Sequence, residues 1–187
     1  MKSAPTGRPG RPRAISRGML AEAACELFLE RGYDATTVGD IASRAGIGRS
    51  SFFNYAAGKA ELVWGALDER IAGVEAAVDR GETVSEALRG LSDDFHPDQL
   101  ALVLAQADAM RMADHVDLES AVRGCRIARA VARALRAAGE DSLGAEVRGG
   151  AYGAAVLAAL REWAHDGAGT SAFATHLARA TAYVPTR

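Results

Sequence analysis

The chain has 187 residues, 49% hydrophobic and 25% charged, a composition that supports a packed core and excludes a disordered chain. Aromatic residues make up only 6%, alanine supplies much of the apolar content, and no run alternates with period two, so we expect an all-α protein of about nine helices. The net charge of −2 excludes a uniformly basic protein, but residues 1–60 carry nine basic and five acidic side chains, which is typical of a chain that contacts a polyanion at one end.

The first predicted segment, residues 1–15, is an arm rich in proline, glycine and arginine. Its prolines and glycines forbid a helix. Arg8 and Arg11 flank Pro9 and Gly10 in an extended segment similar to the core of an AT-hook, which lies in the narrow minor groove of A·T-rich DNA. A solubilising, disordered tail is an equally good interpretation of the same residues.

A first helix is predicted from Arg17 to Arg31, with Ser16 as its N-cap and Gly32 at its end. The stretch from Thr37 to Tyr55 then predicts a helix-turn-helix. Thr37 and the acidic residue three positions later form a capping box, and Gly46 occupies the turn between two short helices, where a positive φ is expected. Two helices crossing in this way place the second in a major groove.

Several residues of the second short helix are candidate DNA contacts. Arg49 opens that helix and suits a guanine edge or a phosphate, although a solvated arginine is the alternative. Ser50 and Ser51 suit phosphates, and Asn54 suits an adenine edge. Thr37 can donate to a phosphate as well as cap its helix. Phe53 is placed either against sugar edges or against the first helix, and the sequence does not choose.

The remaining chain predicts further helices with coarser boundaries. They are expected at about 59–79, 83–91, from Pro97 to Met112, 114–138, 142–165, and from a cap at Thr170 or Ser171 to Tyr183. In the helix 114–138 we expect Leu118, Val122, Cys125, Ala128, Val131, Ala132 and Leu135 to face inward. The arginines at 126, 129, 133 and 136 would form its solvated face.

Other chemistry is expected to be absent. Cys25 and Cys125 each lie in an apolar helical pattern, so buried reduced thiols are expected rather than a disulfide. His96, Asp98, His115 and Asp117 do not form a tight metal-binding pattern. We expect no enzymatic activity, no cofactor and no metal. The N-terminus lacks the apolar segment of a signal peptide and no apolar run is long enough to span a membrane, so we expect a cytoplasmic protein with no membrane partner.

The run ATTVGDIASRAGIGRSSFFNYAAGKAELV resembles the N-terminal domain of the TetR family of bacterial transcriptional repressors. The match covers about residues 16–67 and includes the Thr cap, the Ile-Ala pair, the Ala-Gly-Ile turn, the aromatic pair and the Lys and Leu that open the fourth helix. The resemblance implies phosphate contacts for Tyr55 and Lys59, although Tyr55 also suits a purely buried position. Three positions depart from the family pattern, namely Gly48 for Ser, Phe53 for Tyr, and the segment 56–58 for Phe-x-Ser.

The resemblance implies a homodimer that binds a pseudo-palindromic operator in double-stranded DNA. It also implies a transcriptional regulator, expected to be a repressor that a small-molecule effector releases from the operator. It implies an arm at 1–15, a DNA-binding domain at 16–58 and a helical ligand-binding and dimerisation domain at 59–187. The Gly/Ala-rich helix 142–165 is expected to pack on its copy or within its own chain. Candidate pocket residues are Phe95, Leu102, Gln106, Met110, Met112 and Tyr152. The alternative function is an all-α adaptor for a protein partner, or an enzyme, in which the helix-turn-helix is only structural.

Overall fold

A computed structural model of the chain describes residues 15–96, 99–167 and 169–185. These residues form nine helices and no strand, which confirms the all-α prediction. Arg8 and Arg11 of the arm lie outside the described residues. The helices are α1 Arg17–Arg31, α2 Val38–Arg44, α3 Arg49–Phe52, α4 Lys59–Asp79, α5 Val84–Ser92, α6 Gln99–Gln106, α7 Ala113–Ala137, α8 Ser142–His165 and α9 Phe173–Thr181.

The first three helices contribute to the same hydrophobic core as the body. Leu20 and Phe28 of α1, Ile41 of α2 and Phe52 of α3 are completely buried. The N-terminus of α1 is capped as predicted, because the Met19 amide donates to the Ser16 hydroxyl over 3.3 Å. α4 packs on α1 and continues into the body, where it contacts α5, α6 and α7.

The body is centred on α7 and α8, which run antiparallel and approach very closely. A Cβ atom at Gly153 would lie 2.6 Å from the Gly124 carbonyl oxygen, and one at Gly149 would lie 2.5 Å from the Ala128 carbonyl oxygen. Only glycine allows these helices to cross at this distance. These two glycines of α8 therefore serve packing within the chain, whereas Ala154 and Ala158 of the same helix are exposed.

The buried face of α7 agrees with the predicted one towards its C-terminal end, where Val131, Ala132 and Leu135 are buried, but differs in its first half. Leu118 and Val122 are 64% and 52% exposed, and Cys125 is exposed too, so their predicted burial is wrong. Cys25 is buried as expected. The face that packs inward instead contains Arg123 and Gly124. Small and charged residues lie there because α8 crosses close to the backbone and because α4 supplies carboxylates.

Carboxylates of α4 pair with arginines of α7 where the two helices meet. The Arg126 guanidinium donates to both oxygens of Glu75, over 3.0 and 2.9 Å, and to Asp68 over 2.8 Å. Arg123 pairs with Asp68 as well, and its guanidinium lies 4.5 Å from the Trp64 ring centroid. These contacts join α4 to α7. Arg129, Arg133 and Arg136 are exposed as predicted, whereas Arg126 is half-buried.

Two other predicted boundaries are wrong. α6 ends at Gln106 rather than Met112, because the chain turns there through Arg111, whose φ is +53°. α9 begins after Ala172, which provides no side-chain cap. The Thr170 hydroxyl donates instead to the carbonyls of Asp166 and Gly167.

Candidate nucleic-acid interface

The first helix of the helix-turn-helix, α2, begins at a complete capping box. The Asp40 amide donates to the Thr37 hydroxyl over 3.1 Å, and the Thr37 amide donates to the Asp40 carboxylate over 2.8 Å. The Thr37 hydroxyl also donates to that carboxylate over 2.6 Å. These bonds lower the pKa of the Asp40 carboxyl, the Thr37 hydroxyl being the main cause. The predicted cap is confirmed, and the start of α2 is rigidly fixed.

The turn after α2 has the geometry that the sequence predicts. Gly46 has a φ of +74°, and a Cβ there would meet nothing within 4 Å, so the backbone conformation alone requires glycine. The Ile47 amide donates to the Ala42 carbonyl over 2.9 Å, and the Ile47 side chain packs against the core. α3 therefore leaves the turn at a fixed angle, although Gly48 provides no side-chain cap.

The short helix α3 is anchored on one side and open on the other. Phe52 is completely buried, and α3 packs against α2. Arg49 and Ser50 of α3 are exposed, as are Phe53 and Asn54 of the turn that follows it. Because Phe53 keeps helical backbone angles, the spacing i, i+1, i+4, i+5 places the four side chains on one side. We call these four residues the outer face of α3. Phe53 is 52% exposed and meets Phe52 edge-on, so it does not pack into the domain core.

Arg49 is set apart from the other arginines near this surface. Arg44 is bound by Glu26 and Glu30 of α1, with its nearest carboxylate oxygen at 2.7 Å. Arg31 faces Asp40 at 3.5 Å. Within the described ranges Arg49 has neither an ion pair nor a hydrogen bond, so its guanidinium is available to an external acceptor. Residues 15–60 carry five basic and five acidic side chains, so the net positive charge of residues 1–60 comes from the four basic side chains of residues 1–14.

Two predicted phosphate ligands are committed to bonds within the chain. The Lys59 ammonium donates to the carbonyls of Tyr33 and Thr36, over 2.6 and 3.0 Å, and lies 4.0 Å from the Tyr33 ring centroid. Burial lowers its pKa. The Thr37 hydroxyl already serves Asp40 as donor and acceptor. In this structure both residues act on the fold, and their contacts with DNA stay predictions.

Ser51 and Tyr55 are half-buried, and Tyr55 packs against the core. The structure thus brings the predicted DNA contacts Thr37, Ser51, Tyr55 and Lys59 to the same domain as the outer face of α3, but at its edges rather than on that face.

Residues that sequence reasoning missed connect this domain to the body. The Tyr33 amide donates to the Met110 carbonyl over 2.9 Å, and His115 of α7 bonds the Asp34 carboxylate over 3.0 Å. Arg17 of α1 donates to the Glu61 carbonyl of α4 over 2.7 Å. These contacts join residues far apart in the chain, and no local pattern in the sequence indicates them.

The six predicted pocket residues do not line one cavity. Met110 and Met112 are buried core residues, with 0% and 2% of their surface exposed, whereas Leu102 and Gln106 face outward on α6. Phe95 stacks with Trp163 and Phe173 at ring-centroid distances of 5.1 and 4.7 Å. Of the six, Tyr152 alone lines the cleft of about 390 Å³ between α5, α8 and α9.

No group of three metal-ligating side chains lies together in the described ranges. No helix in the described part of the chain combines the length and the apolar content needed to cross a bilayer.

The geometry defines a class of protein, a helix-turn-helix domain of three helices joined through a long fourth helix to a helical body. Comparison with known proteins shows which family this part of the chain resembles. The sequence model of the bacterial regulatory proteins of the TetR family matches residues 20–64, which cover α2, α3 and parts of α1 and α4. Over this segment the chain is similar to the DNA-binding domain of the TetR family.

Two curated relatives and one solved structure are similar to the chain. The transcriptional repressor KstR2 of Mycobacterium tuberculosis is 38% identical over 107 residues, 52% of this chain and 52% of KstR2. The transcriptional activator FasR of Mycolicibacterium smegmatis is 33% identical over 88 residues, 45% of this chain and 40% of FasR. The matches thus span about half, or less, of these relatives.

The crystal structure of Thermus thermophilus FadR, a TetR-family repressor in complex with lauroyl-CoA, superposes with a TM-score of 0.50 at 24% identity, covering 90% of this chain and 92% of FadR. At this identity the likeness concerns the fold.

Proposed function

We propose that the chain is a sequence-specific DNA-binding transcriptional regulator, acting as a repressor that a small-molecule ligand releases. The outer face of α3 carries the proposal, because it presents an unpaired arginine, a serine and, from the turn after α3, an asparagine. Arginine bonds guanine edges and asparagine bonds adenine edges in a major groove. We divide the chain accordingly into the arm 1–15, the DNA-binding domain 16–58 and the body 59–187.

We further propose that the protein acts as a homodimer through α8 and α9. An open groove of about 550 Å³ lies between these helices, lined mainly by alanines and by Tyr183. Leu143 and Val147 continue the same side of α8 and are 74% and 64% exposed, and Tyr183 is 84% exposed. An apolar strip of this kind favours a two-fold interface, which would present two copies of α3 to one pseudo-palindromic site.

The sense of regulation and the effector are supported by the relatives. KstR2 is a repressor and FadR is a repressor solved with lauroyl-CoA, whereas FasR is an activator. We place this chain with the repressors because KstR2 is aligned over the larger share of its sequence. The ligand would favour a conformation with the wrong spacing between the two copies of α3.

The test is selection of bound duplexes from genomic fragments, followed by fluorescence anisotropy titrations over a range of salt concentrations. If the dimer neutralises about four phosphates, the slope of log affinity against log salt should be roughly −4. Arg49→Ala should weaken binding by about 1–3 kcal/mol per half-site. Arg129→Ala is the matched control, because Arg129 is an exposed arginine of α7 that has no ion pair within the described ranges.

Salt-independent affinity, or equal binding by the wild type and Arg49→Ala, would contradict the proposal. Such a result would support the adaptor or enzyme interpretation, in which the helix-turn-helix only packs. Lys59→Ala is a less direct test, because it also removes the two bonds that hold the loop before α2.

A further inference from the structure

The cleft between α5, α8 and α9 has the features of a binding site for a small molecule. Its volume of about 390 Å³ falls within the range of ligand pockets, near the lower end. Leu88 of α5 and Leu177 of α9 line it and are each 5% exposed, so they provide a fixed apolar surface. Ala174 and Ala178 of α9 leave the space open because their side chains are small.

The polar groups of the cleft divide into two sets. The Ser92 hydroxyl donates to the Arg89 carbonyl over 3.0 Å, and the Thr181 hydroxyl donates to the Leu177 carbonyl over 2.9 Å. In contrast, the side chains of Ser85, Arg89 and Tyr152 have no hydrogen bond or ion pair with any described residue. Two hydroxyls and a guanidinium therefore remain available at an apolar surface.

The charge of Arg89 indicates the chemical class of the ligand. A guanidinium binds a carboxylate through two parallel hydrogen bonds, and this geometry is stronger beside apolar surface than in water. The nearest acidic residue on α5, Glu86, is held by the amide and the hydroxyl of Thr83, with bonds of 2.9 and 2.7 Å. It is committed to the cap of α5 and does not form an ion pair with Arg89.

We propose that this cleft binds a small monocarboxylate with an apolar body, its carboxylate on Arg89 and its body against Leu88 and Leu177. The body of such a ligand covers the apolar wall formed by the two leucines and by Ala174 and Ala178, and the hydroxyls of Ser85 and Tyr152 supply further donors to the carboxylate.

The position of α9 connects this site to the proposed dimer face. Leu177 and Ala178 line the cleft, whereas Arg179 and Ala180 line the outer groove between α8 and α9. A ligand that fills the cleft contacts one side of α9, and a second copy of the chain in the proposed dimer contacts the other side. Differential binding to two positions of α9 would then shift the dimer between two spacings. This step rests on the proposed function, whereas binding in the cleft does not.

The experiment uses the full chain and three probes, sodium octanoate, 4-phenylbutyrate and phenylacetate, with 1-octanol as the neutral counterpart of octanoate. Binding is measured by isothermal titration calorimetry and by the shift of the melting temperature. At least one carboxylate should bind saturably with one molecule per chain. Arg89→Gln should weaken this binding at least tenfold, whereas Arg129→Gln, which removes the same charge from exposed α7, should leave it unchanged.

A second variant tests the location without changing charge. Ala178 is exposed at the cleft, so Ala178→Trp should fill the space and abolish binding of carboxylates and of octanol, and Ala178→Leu serves if the larger residue impairs folding. Circular dichroism and the melting temperature without probe establish that each variant is folded.

The proposal is overturned if none of the three carboxylates binds, if octanol binds as tightly as octanoate, or if Arg89→Gln or the filled cleft binds like the wild type. Operator binding is measured separately. If the protein without probe does not bind DNA, the proposed function is wrong, but the proposal that the cleft binds a carboxylate still stands. If a carboxylate binds but leaves operator affinity unchanged, the coupling through α9 is wrong.

Discussion

The close crossing of α7 and α8 makes a sharp prediction for Gly153→Ala. The added Cβ would lie 2.6 Å from the Gly124 carbonyl oxygen and 3.3 Å from the Ala128 Cβ. Because the first of these atoms belongs to the backbone, the helices must separate by several tenths of an ångström. Overpacking of this kind costs about 1–3 kcal/mol. Alanine returns about 1 kcal/mol through its higher helix propensity, so the net loss should be roughly 0–2 kcal/mol.

Gly73→Ala is the matched control, because Gly73 lies in the middle of α4 and a Cβ there meets nothing within 4 Å. That variant should stabilise the protein by about 1 kcal/mol. The free energies of unfolding of the two variants should therefore differ by about 1–3 kcal/mol, measured by urea denaturation at one fixed protein concentration. Each kcal/mol should correspond to a difference of roughly 2–4 °C in melting temperature. If Gly153→Ala stabilises as much as Gly73→Ala, the proposed steric role of the glycine is wrong.

Two other predictions concern charged groups. Arg126→Gln removes three hydrogen bonds to two carboxylates of α4 and should lower the free energy of unfolding by about 1–2 kcal/mol in urea melts; an equal effect of Arg129→Gln would contradict this. The pKa values of Glu30, Asp40 and Glu86 are lowered, chiefly by hydrogen bonds from an arginine, a threonine hydroxyl and a threonine amide respectively. Their stabilisation is full above the unfolded values of about 4 and is lost as the pH falls through the folded values, so the urea midpoint should decrease below about pH 4. A midpoint that stays constant down to pH 3 would refute the assignment.

The parts of the fold that the sequence predicts correctly depend on local chemistry. The capping box of Thr37 and Asp40 and the positive φ of Gly46 involve residues within a few positions of each other. The i, i+3 spacing of Phe52 and Tyr55 is likewise local, and it places Phe52 on the inward side, where it is completely buried. The outer face of α3 follows from the same local periodicity.

The parts that the sequence does not predict depend on long-range contacts. Apolar periodicity places Leu118 and Val122 inside, but α7 buries Arg123 and Gly124 because α4 supplies carboxylates and α8 passes close to the backbone. The residues that line a cleft also depend on long-range contacts. Methionine content does not distinguish a core residue such as Met110 from a residue that lines a cleft.

The central claim is that the outer face of α3 reads DNA bases, and a base-substitution scan of a selected operator tests it most directly. Wild type and Arg49→Ala are titrated against duplexes that each change one base pair. The wild type should lose about 1–3 kcal/mol at one G·C pair of each half-site, and Arg49→Ala should lose that discrimination while keeping the others. If Arg49→Ala discriminates at every position as the wild type does, Arg49 does not read the operator and the account of this surface is wrong.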